Sequence, residues 1–460
     1  LADWLEEHGQ PERAEFVRLQ LRERDPVDAA RMDALWSAHA AGWLGVLVQE
    51  EIKITPKRGL LEVAGPANRF FTHHLGRLGR LGRLKDHESL AWIEKLTMLE
   101  MTPARLKKLA ESPHWGVSAS LRLRGNARRG GDGLIPREFW GDSSEDWTPL
   151  SQLPGADQLR HLSLVDCQLG ASGIAALAEA NLSALTRLEM SNASLGDVGV
   201  ERFVQRTNAM SLHSLAMTRC RIAARGITAL ANWPGLGEVR SLNLNFSYPG
   251  TEGVAALAAS PHRSSLEELH LSTSNLTSHE SLAGQHLGLA GVCALVDAEP
   301  YVNLESLVLS GQRLGRQGAQ ILSTATCFPA LRRLGLVANQ LRCEGVYALL
   351  NAPWLPQLDE LNLTYNELRD PAGQAIATCD RFAPTIRIIL TANSDIGTMT
   401  RERLTERFGT RVCFRNYGLA SLLNCWVFSM MRRCTRRTMH HGSSSPTGWR
   451  STGSPNVPSL

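Results

Sequence analysis

Residues 331–384 hold two copies of one phrase, LRRLGLVANQLRCEGVYALLNAPWLPQ (331–357) and LDELNLTYNELRDPAGQAIATCDRFAP (358–384), and their alignment decides the fold. Each opens on L-x-x-L-x-L, Leu331, Leu334, Leu336 in the first and Leu358, Leu361, Leu363 in the second. Each then places an Asn (Asn339, Asn366) and a further Leu (Leu341, Leu368) at matching positions. Alternation through the leucines is the two-residue period of a strand; Val346 and Leu349, one and four positions after Gly345, make one face of a short helix.

The phrase recurs outward in both directions. Counted on its second leucine, nine copies run Leu162, Leu188, Leu215, Leu242, Leu269, Leu307, Leu334, Leu361 and Ile388, at intervals of 26, 27, 27, 27, 38, 27, 27 and 27. The long interval is 27 plus 11, which predicts a protruding loop at about 277–287. The Asn position of the template holds Cys167, Ala193, Cys220, Ser247, Ser274, Gln312, Asn339, Asn366 and Asn393. A Gly precedes the helical phrase at Gly173, Gly199, Gly226, Gly253, Gly291, Gly318 and Gly345. Asp370 followed by Pro371 suits a helix N-cap and first turn. One such unit buries too little apolar surface to offset the entropy of ordering its backbone, so neighbours must stack. Nine stacked strands would make an inner wall roughly 38 Å long.

This template resembles that of leucine-rich repeats, and a 27-residue unit with a helix in each copy resembles their ribonuclease-inhibitor-like class over about residues 151–415. The resemblance implies an α/β leucine-rich-repeat solenoid, a horseshoe of parallel inner strands and outer helices, ending on a last strand near Val412 to Phe414. It does not imply one function, since the scaffold serves many partners.

The opening, LADWLEEHGQPERAEFVRLQL, divides into two helices around Gly9-Gln10-Pro11, with a third from about Val27 to Ala41. Ala2 to Glu7, Gly9, Arg13 to Phe16 and Arg18 to Gln20 resemble the short bacterial repeat-companion domain, which implies architecture and no catalytic residue. On that resemblance residues 1–50 are expected to be a partial domain, the family's upstream half not being among them. Residues 51–150 read as irregular leading repeats and a loop, with worn strands at 58–63, 95–101 and 120–126. Between these lies a basic tract, Arg77, Arg80, Arg83 and Lys85, whose period of three smears charge around a helix; a solvated local duplication is favoured over a phosphate site. From Arg407 onward there are eight arginines and no acidic residue, so the net charge of +4 divides into about −4 before and +8 after. Residues 416–460 read as a basic, largely disordered tail, with surface contact to an anionic membrane through 419–437 as the lesser reading.

The chain's 460 residues, 43% hydrophobic and 20% charged, describe a folded protein, and no apolar run reaches the length of a membrane span. Nine scattered cysteines without a C-x-x-C favour buried structural thiols and a cytoplasmic location. No phosphate loop or nucleophile elbow is present, and His-Glu-Ser-Leu-Ala at His87 and His279 carries Ala91 and Ala283 where a zinc helix needs its second His. The expectation is therefore a non-enzymatic protein-interaction scaffold with no cofactor and no metal, its partner an unidentified protein. The alternative is a regulatory or effector protein whose catalytic part lies upstream of Leu1.

Strand residues between the leucines point to one wall, and the binding candidates on it are His161, Arg187, Glu189, Asn243, Asn245, Glu268, His270, Arg333, Glu360 and Asn362. The wall is small, polar and near neutral, which disfavours nucleic acid. A solvated face with no ligand fits the same pattern. In either case these positions are expected to be exposed, so that replacing Asn243, Asn245, His270 and Asn362 should lower the melting temperature little.

Overall fold

A computed structural model describes residues 2–22, 25–44, 53–57, 60–66, 93–111, 119–125, 145–153, 155–207, 210–273 and 286–414. They carry fourteen strands and thirteen α-helices. The chain divides into two units, Leu1–Leu99 with Ser112–Ser120 and Tyr417–Leu460, and Glu100–Glu111 with Leu121–Asn416.

In the first unit, α1 (Ala2–Glu7) and α2 (Pro11–Leu21) flank Gly9, whose φ of 74° makes the turn, and Pro11 opens α2. α3 (Pro26–Leu44) completes the helical part. Phe16 and Leu19 pack with Leu35, and the Phe16 ring lies 5.5 Å from the rings of both Trp36 and Trp43. Outside this core, Arg18 pairs with Asp3 and Glu6, and Arg31 with Glu15. Three strands follow. β1 (Lys53–Lys57) is antiparallel to β2 (Leu60–Pro66), a hairpin that the repeat pattern does not predict, and β2 is parallel to β3 (Ile93–Met101).

The second unit begins with α4 (Pro103–Ala110), capped by Thr102 Oγ1 at the Arg105 amide, and β4 (Ser120–Gly125). The repeats then give β5 (His161–Val165), β6 (Arg187–Ser191), β7 (Ser214–Thr218), β8 (Ser241–Asn243) and β9 (Glu268–His270). They continue as β10 (Ser306–Val308), β11 (Arg333–Gly335), β12 (Glu360–Asn362), β13 (Arg387–Ile389) and β14 (Val412–Cys413). From β5 to β14 the pairing is parallel and in chain order, with Leu162, Leu188, Leu215, Leu242, Leu269, Leu307, Leu334, Leu361, Ile388 and Val412 each opposite the next. β9 pairs directly with β10, so the 11 extra residues between them leave the ladder unbroken.

Helices cover the other side: α5 (Gly170–Glu179), α6 (Gly196–Arg206), α7 (Ala224–Ala231), α8 (Gly250–Ala259), α9 (Gly288–Val296), α10 (Gly315–Ser323), α11 (Arg342–Leu349), α12 (Asp370–Thr378) and α13 (Thr398–Phe408). The recurring Gly explains how closely they stack. A Cβ on Gly253 would lie 3.1 Å from Ala224 Cα and 3.2 Å from Ile227 Cβ, both in the preceding helix. Template leucines and helix residues such as Ile174, Val200, Ile227 and Val254 are fully buried between the two layers.

The template Asn is the tie between repeats. Asn366 Oδ1 accepts from the amides of Asn339 (3.0 Å) and Leu341 (3.3 Å), while its Nδ2 donates to the Leu336 carbonyl at 2.8 Å. Asn339 and Asn393 repeat the pattern one unit back and one unit on. Gln312 substitutes with a longer arm, reaching the Leu287 amide and the Leu271 carbonyl. Cys220 donates its thiol to the Met190 carbonyl at 3.1 Å, and burial pushes this thiol and that of Cys167 up to about 12, so both stay protonated. The residue before this position has a positive φ in nearly every repeat, through Asp166, Asn192, Arg219, Phe246, Gly311, Ala338, Tyr365 and Ala392, which ends the strand and turns the next side chain inward.

Asp370 does not cap its own helix. It is the first residue of α12, and its Oδ1 accepts from the Gly397 amide of the following repeat at 2.8 Å. Asp197 does the same for α7, taking the Ala223 and Gly226 amides at 2.7 and 2.9 Å. A carboxylate at the next helix's N-terminus serves two repeats at once, which local capping rules do not foresee.

Several expectations lie outside the described residues: Ser274 and nearly all of the 277–287 insertion, the basic tract at 77–85, His87, His279 and the 416–460 tail. Among the described residues no helix is long and apolar enough to cross a membrane, and no group of three or more His, Cys, Asp or Glu could hold a metal ion.

Candidate functional site: the open face of the strand ladder

Because the leucines of each strand enter the core, the residues between them form three rows across the opposite face. The first runs Ser241, Glu268, Ser306, Arg333, Glu360, Arg387 along β8–β13, and the second Asn243, His270, Val308, Gly335, Asn362, Ile389. The third lies two residues beyond each strand: Asn245, Ser272, Ser310, Val337, Thr364, Thr391. Parallel pairing extends that far. Phe246 donates to the Ser272 carbonyl, Thr273 to Ser310, Gly311 to Val337, Ala338 to Thr364 and Tyr365 to Thr391.

The first row is charged and closed upon itself. Arg333 Nη2 lies 3.3 Å from Glu268 Oε1 and 3.9 Å from Glu305, Ser241 Oγ donates to Glu268 Oε2 at 3.0 Å, and Arg387 Nη1 meets Glu360 Oε2 at 3.4 Å. The other rows differ. Asn243, Asn245, His270, Ser310, Asn362, Thr364 and Thr391 are all at most 3% exposed. The expectation of an exposed wall is therefore corrected: short side chains flanked by neighbouring strands are buried, so a bulkier or charged replacement there acts on stability.

Buried polar groups ordinarily find hydrogen-bond partners. Here Asn243 Nδ2, Asn245 Nδ2, both ring nitrogens of His270, Ser310 Oγ, Thr364 Oγ1 and Thr391 Oγ1 have none. The acceptor ends of the amides are used: Asn243 Oδ1 takes the Asn245 amide, Asn245 Oδ1 the Ser272 amide and Asn362 Oδ1 the Thr364 amide, at 2.9–3.0 Å. Burial lowers the His270 pKa, Glu268 opposing and Arg333 adding to the shift, so the ring is neutral near pH 7.

His161, Arg187 and Glu189 belong to another neighbourhood, on β5 and β6. There Arg122 of β4 donates to Ser163 Oγ at 3.0 Å and to Glu189 Oε2 at 2.7 Å, Ser163 Oγ donates to the same carboxylate oxygen, and Ser191 joins Glu189 to Thr218. Burial works to raise the Glu189 pKa, but the Arg122 charge and these hydrogen bonds outweigh it and hold the carboxyl below its usual range. His161 and Arg187 are half-buried at the strand starts. The structure thus gathers Asn243, Asn245, Glu268, His270, Arg333, Glu360 and Asn362 on β8–β12 and separates them from the first three. Arg122, Arg387 and Thr391 were not picked out from the sequence. Carrying the two-residue alternation one strand beyond each end of the chosen set would have found them.

Fold and face together define an α/β leucine-rich-repeat solenoid. Residues 159–178 and 357–377 match the Leucine Rich repeat family. Among solved structures, the chain is similar to one from the yeast Rad7 and Elc1 complex, at 14% identity over 88% of this chain and 87% of that one, with a TM-score of 0.44. It is also similar to a Bacteroides fragilis protein, at 12% identity over 75% and 74%, with a TM-score of 0.28. Likenesses this low carry nothing about function. No curated protein matches the chain significantly.

Proposed function

We propose that the chain is a non-enzymatic protein-interaction scaffold that binds its partner across the β8–β13 face. One observation carries the reading. The parallel ladder of β8–β13 sets the residues between its leucines in rows on one face, away from the helices, which is the extended surface a repeat solenoid offers to a partner. The reading includes residues 1–50 as part of a repeat-companion domain, the ribonuclease-inhibitor-like class for the repeats and a cytoplasmic location.

The test is cross-linking capture from the native cell with the whole chain and two face variants at partly exposed positions, Ser241→Arg on β8 and Arg387→Glu on β13, against Glu252→Lys on α8. Partners lost with the face variants and kept by Glu252→Lys support the reading, with thermal melts confirming folding. Capture indifferent to both face variants sinks it.

A further inference from the structure

The turns that lead from each strand to its helix line a second surface, along one edge of the repeats. At both ends of that edge, charge is balanced between neighbouring repeats. Arg124 Nε lies 3.0 Å from Asp166 Oδ2, and Asn192 Nδ2 donates to the other oxygen of Asp166 at 3.0 Å. In the turns after β11, β12 and β13, Arg342 Nε lies 3.0 Å from Glu367 Oε2, and Arg369 Nε 3.7 Å from Asp395 Oδ2.

The turns after β7 and β10 break this balance. Arg219, after β7, and Arg313 and Arg316, after β10, are exposed, and among the described residues none of the three has a carboxylate within ion-pair distance. The acids of these repeats are spent elsewhere or stand apart. Glu201 pairs with Arg225, Asp197 accepts from the Ala223 and Gly226 amides, and Glu252 pairs with none of the three arginines. Arg219 is also held in place, its guanidinium carbon 4.4 Å from the centre of the Phe246 ring one repeat on. Stacking occupies the flat face of the guanidinium and leaves its N–H edges open, the geometry in which two parallel hydrogen bonds take a carboxylate. Arg316 is the second residue of α10, where the positive end of the helix dipole disfavours a cation.

Three uncompensated cations, on an edge that elsewhere pairs them across repeats, call for negative charge in an occupant. No lysine follows Lys108, so every side-chain cation fixed by the repeats is an arginine, the residue suited to bidentate capture of carboxylates. Three cations neutralise three phosphates at most, too few to hold a nucleic acid at physiological salt. β7 and β10 are three strand intervals apart, about 14 Å along the ladder, and an extended polypeptide covers that distance with about five residues. Phe246 and Tyr248, both half-buried, lie between the arginines in ladder order and give such a segment an apolar floor.

We infer that this edge binds an acidic polypeptide segment of about five residues, its carboxylates on the N–H edges of Arg219, Arg313 and Arg316. The edge is distinct from the face of β8–β13, and its occupancy does not depend on a partner there.

The test titrates the full chain into fluorescein-labelled octaglutamate and follows anisotropy at low and at physiological salt, with octaglutamine as the uncharged control. The site variant is the triple change Arg219→Gln, Arg313→Gln, Arg316→Gln. A charge-matched control, Arg124→Gln, Arg342→Gln, Arg369→Gln, removes three charges from the balanced ends of the same edge, and thermal melts check that both variants fold. Octaglutamate is expected to bind and octaglutamine not, with affinity falling as salt rises. The site variant should lose about tenfold or more in affinity, while the control stays within about twofold of wild type. If either triple variant melts early, the single change Arg219→Gln carries the comparison, with a loss of about threefold expected and no loss counting against the site. Absence of octaglutamate binding, or an equal loss in the two triple variants, which is general attraction to net charge, would overturn the proposal. So would an eight-nucleotide oligothymidylate that binds more tightly than octaglutamate and is lost in the site variant.

Discussion

The strand face has two halves built on one backbone, and they treat most of their polar groups differently. On β4–β7, Arg122, Ser163, Glu189, Ser191 and Thr218 form a continuous network that closes within the protein. On β8–β13, side chains buried at least as deeply end in atoms that nothing inside the protein meets. The template leucines are alike in both halves, so the repeat does not make this difference. It comes from the residues between the leucines, where the pattern leaves identity free, and that is where a repeat protein can place function without disturbing its fold.

The sharpest way to break the comparison is to set a structural polar residue against its orphaned neighbour. Asn366→Ala removes a side chain that satisfies two amides and two carbonyls, and should cost about 3 kcal/mol by denaturant unfolding. In the closed half, Arg122→Met leaves the half-buried Glu189 carboxylate without its cation. A loss of about 2 kcal/mol is expected, the partial exposure of Arg122 keeping it below the cost of breaking a fully buried pair. Equal stability in this variant and the wild type would show that the network is incidental.

A smaller effect separates the halves by pH. His270 is buried with its folded pKa below the ordinary histidine value of about 6.5, so the unfolded chain binds more protons in the window beneath it. Its contribution is present in full above that pH and is lost as pH falls, at up to about 1.4 kcal/mol per pH unit until the folded value is reached. Thermal melts from pH 7.5 to 5 should therefore decline more steeply in wild type than in His270→Gln, and parallel curves would refute the assignment. The smallest expected effect is that of Thr364→Val, two residues before Asn366. Its hydroxyl has no partner to lose, so stability should stay within about 0.5 kcal/mol of wild type or rise.

Much of the architecture was legible in the leucines. Leu162 through Ile388 pair in register as their spacing requires, the worn phrases near 60, 95 and 120 form β2, β3 and β4, and the break at Gly9 and Pro11 separates α1 from α2. The antiparallel β1–β2 hairpin escaped notice because Lys53–Lys57 has no template to betray it. Asp370 was misjudged for a different reason: capping rules are local, whereas its carboxylate reaches into the following repeat, as that of Asp197 does.

At the site, the wall positions were legible and their condition was not. Alternation put Asn243, His270 and Asn362 on the open face, and it grouped them with His161, Arg187 and Glu189 as equal members of one exposed surface. Burial and hydrogen-bond satisfaction depend on neighbours 27 or more residues away, such as Arg122 beside Glu189 and Arg333 beside Glu268.

The sequence by itself determined the repeat, its register and the side of the sheet each residue takes, because a strand's two-residue period and a stacked unit's fixed length are local and periodic quantities. Only the tertiary structure decided which polar groups on that side are spent on the protein and which are left over. Partners across a ladder come from separate repeats, and a hydrogen bond or an ion pair exists only where distance and orientation are both met.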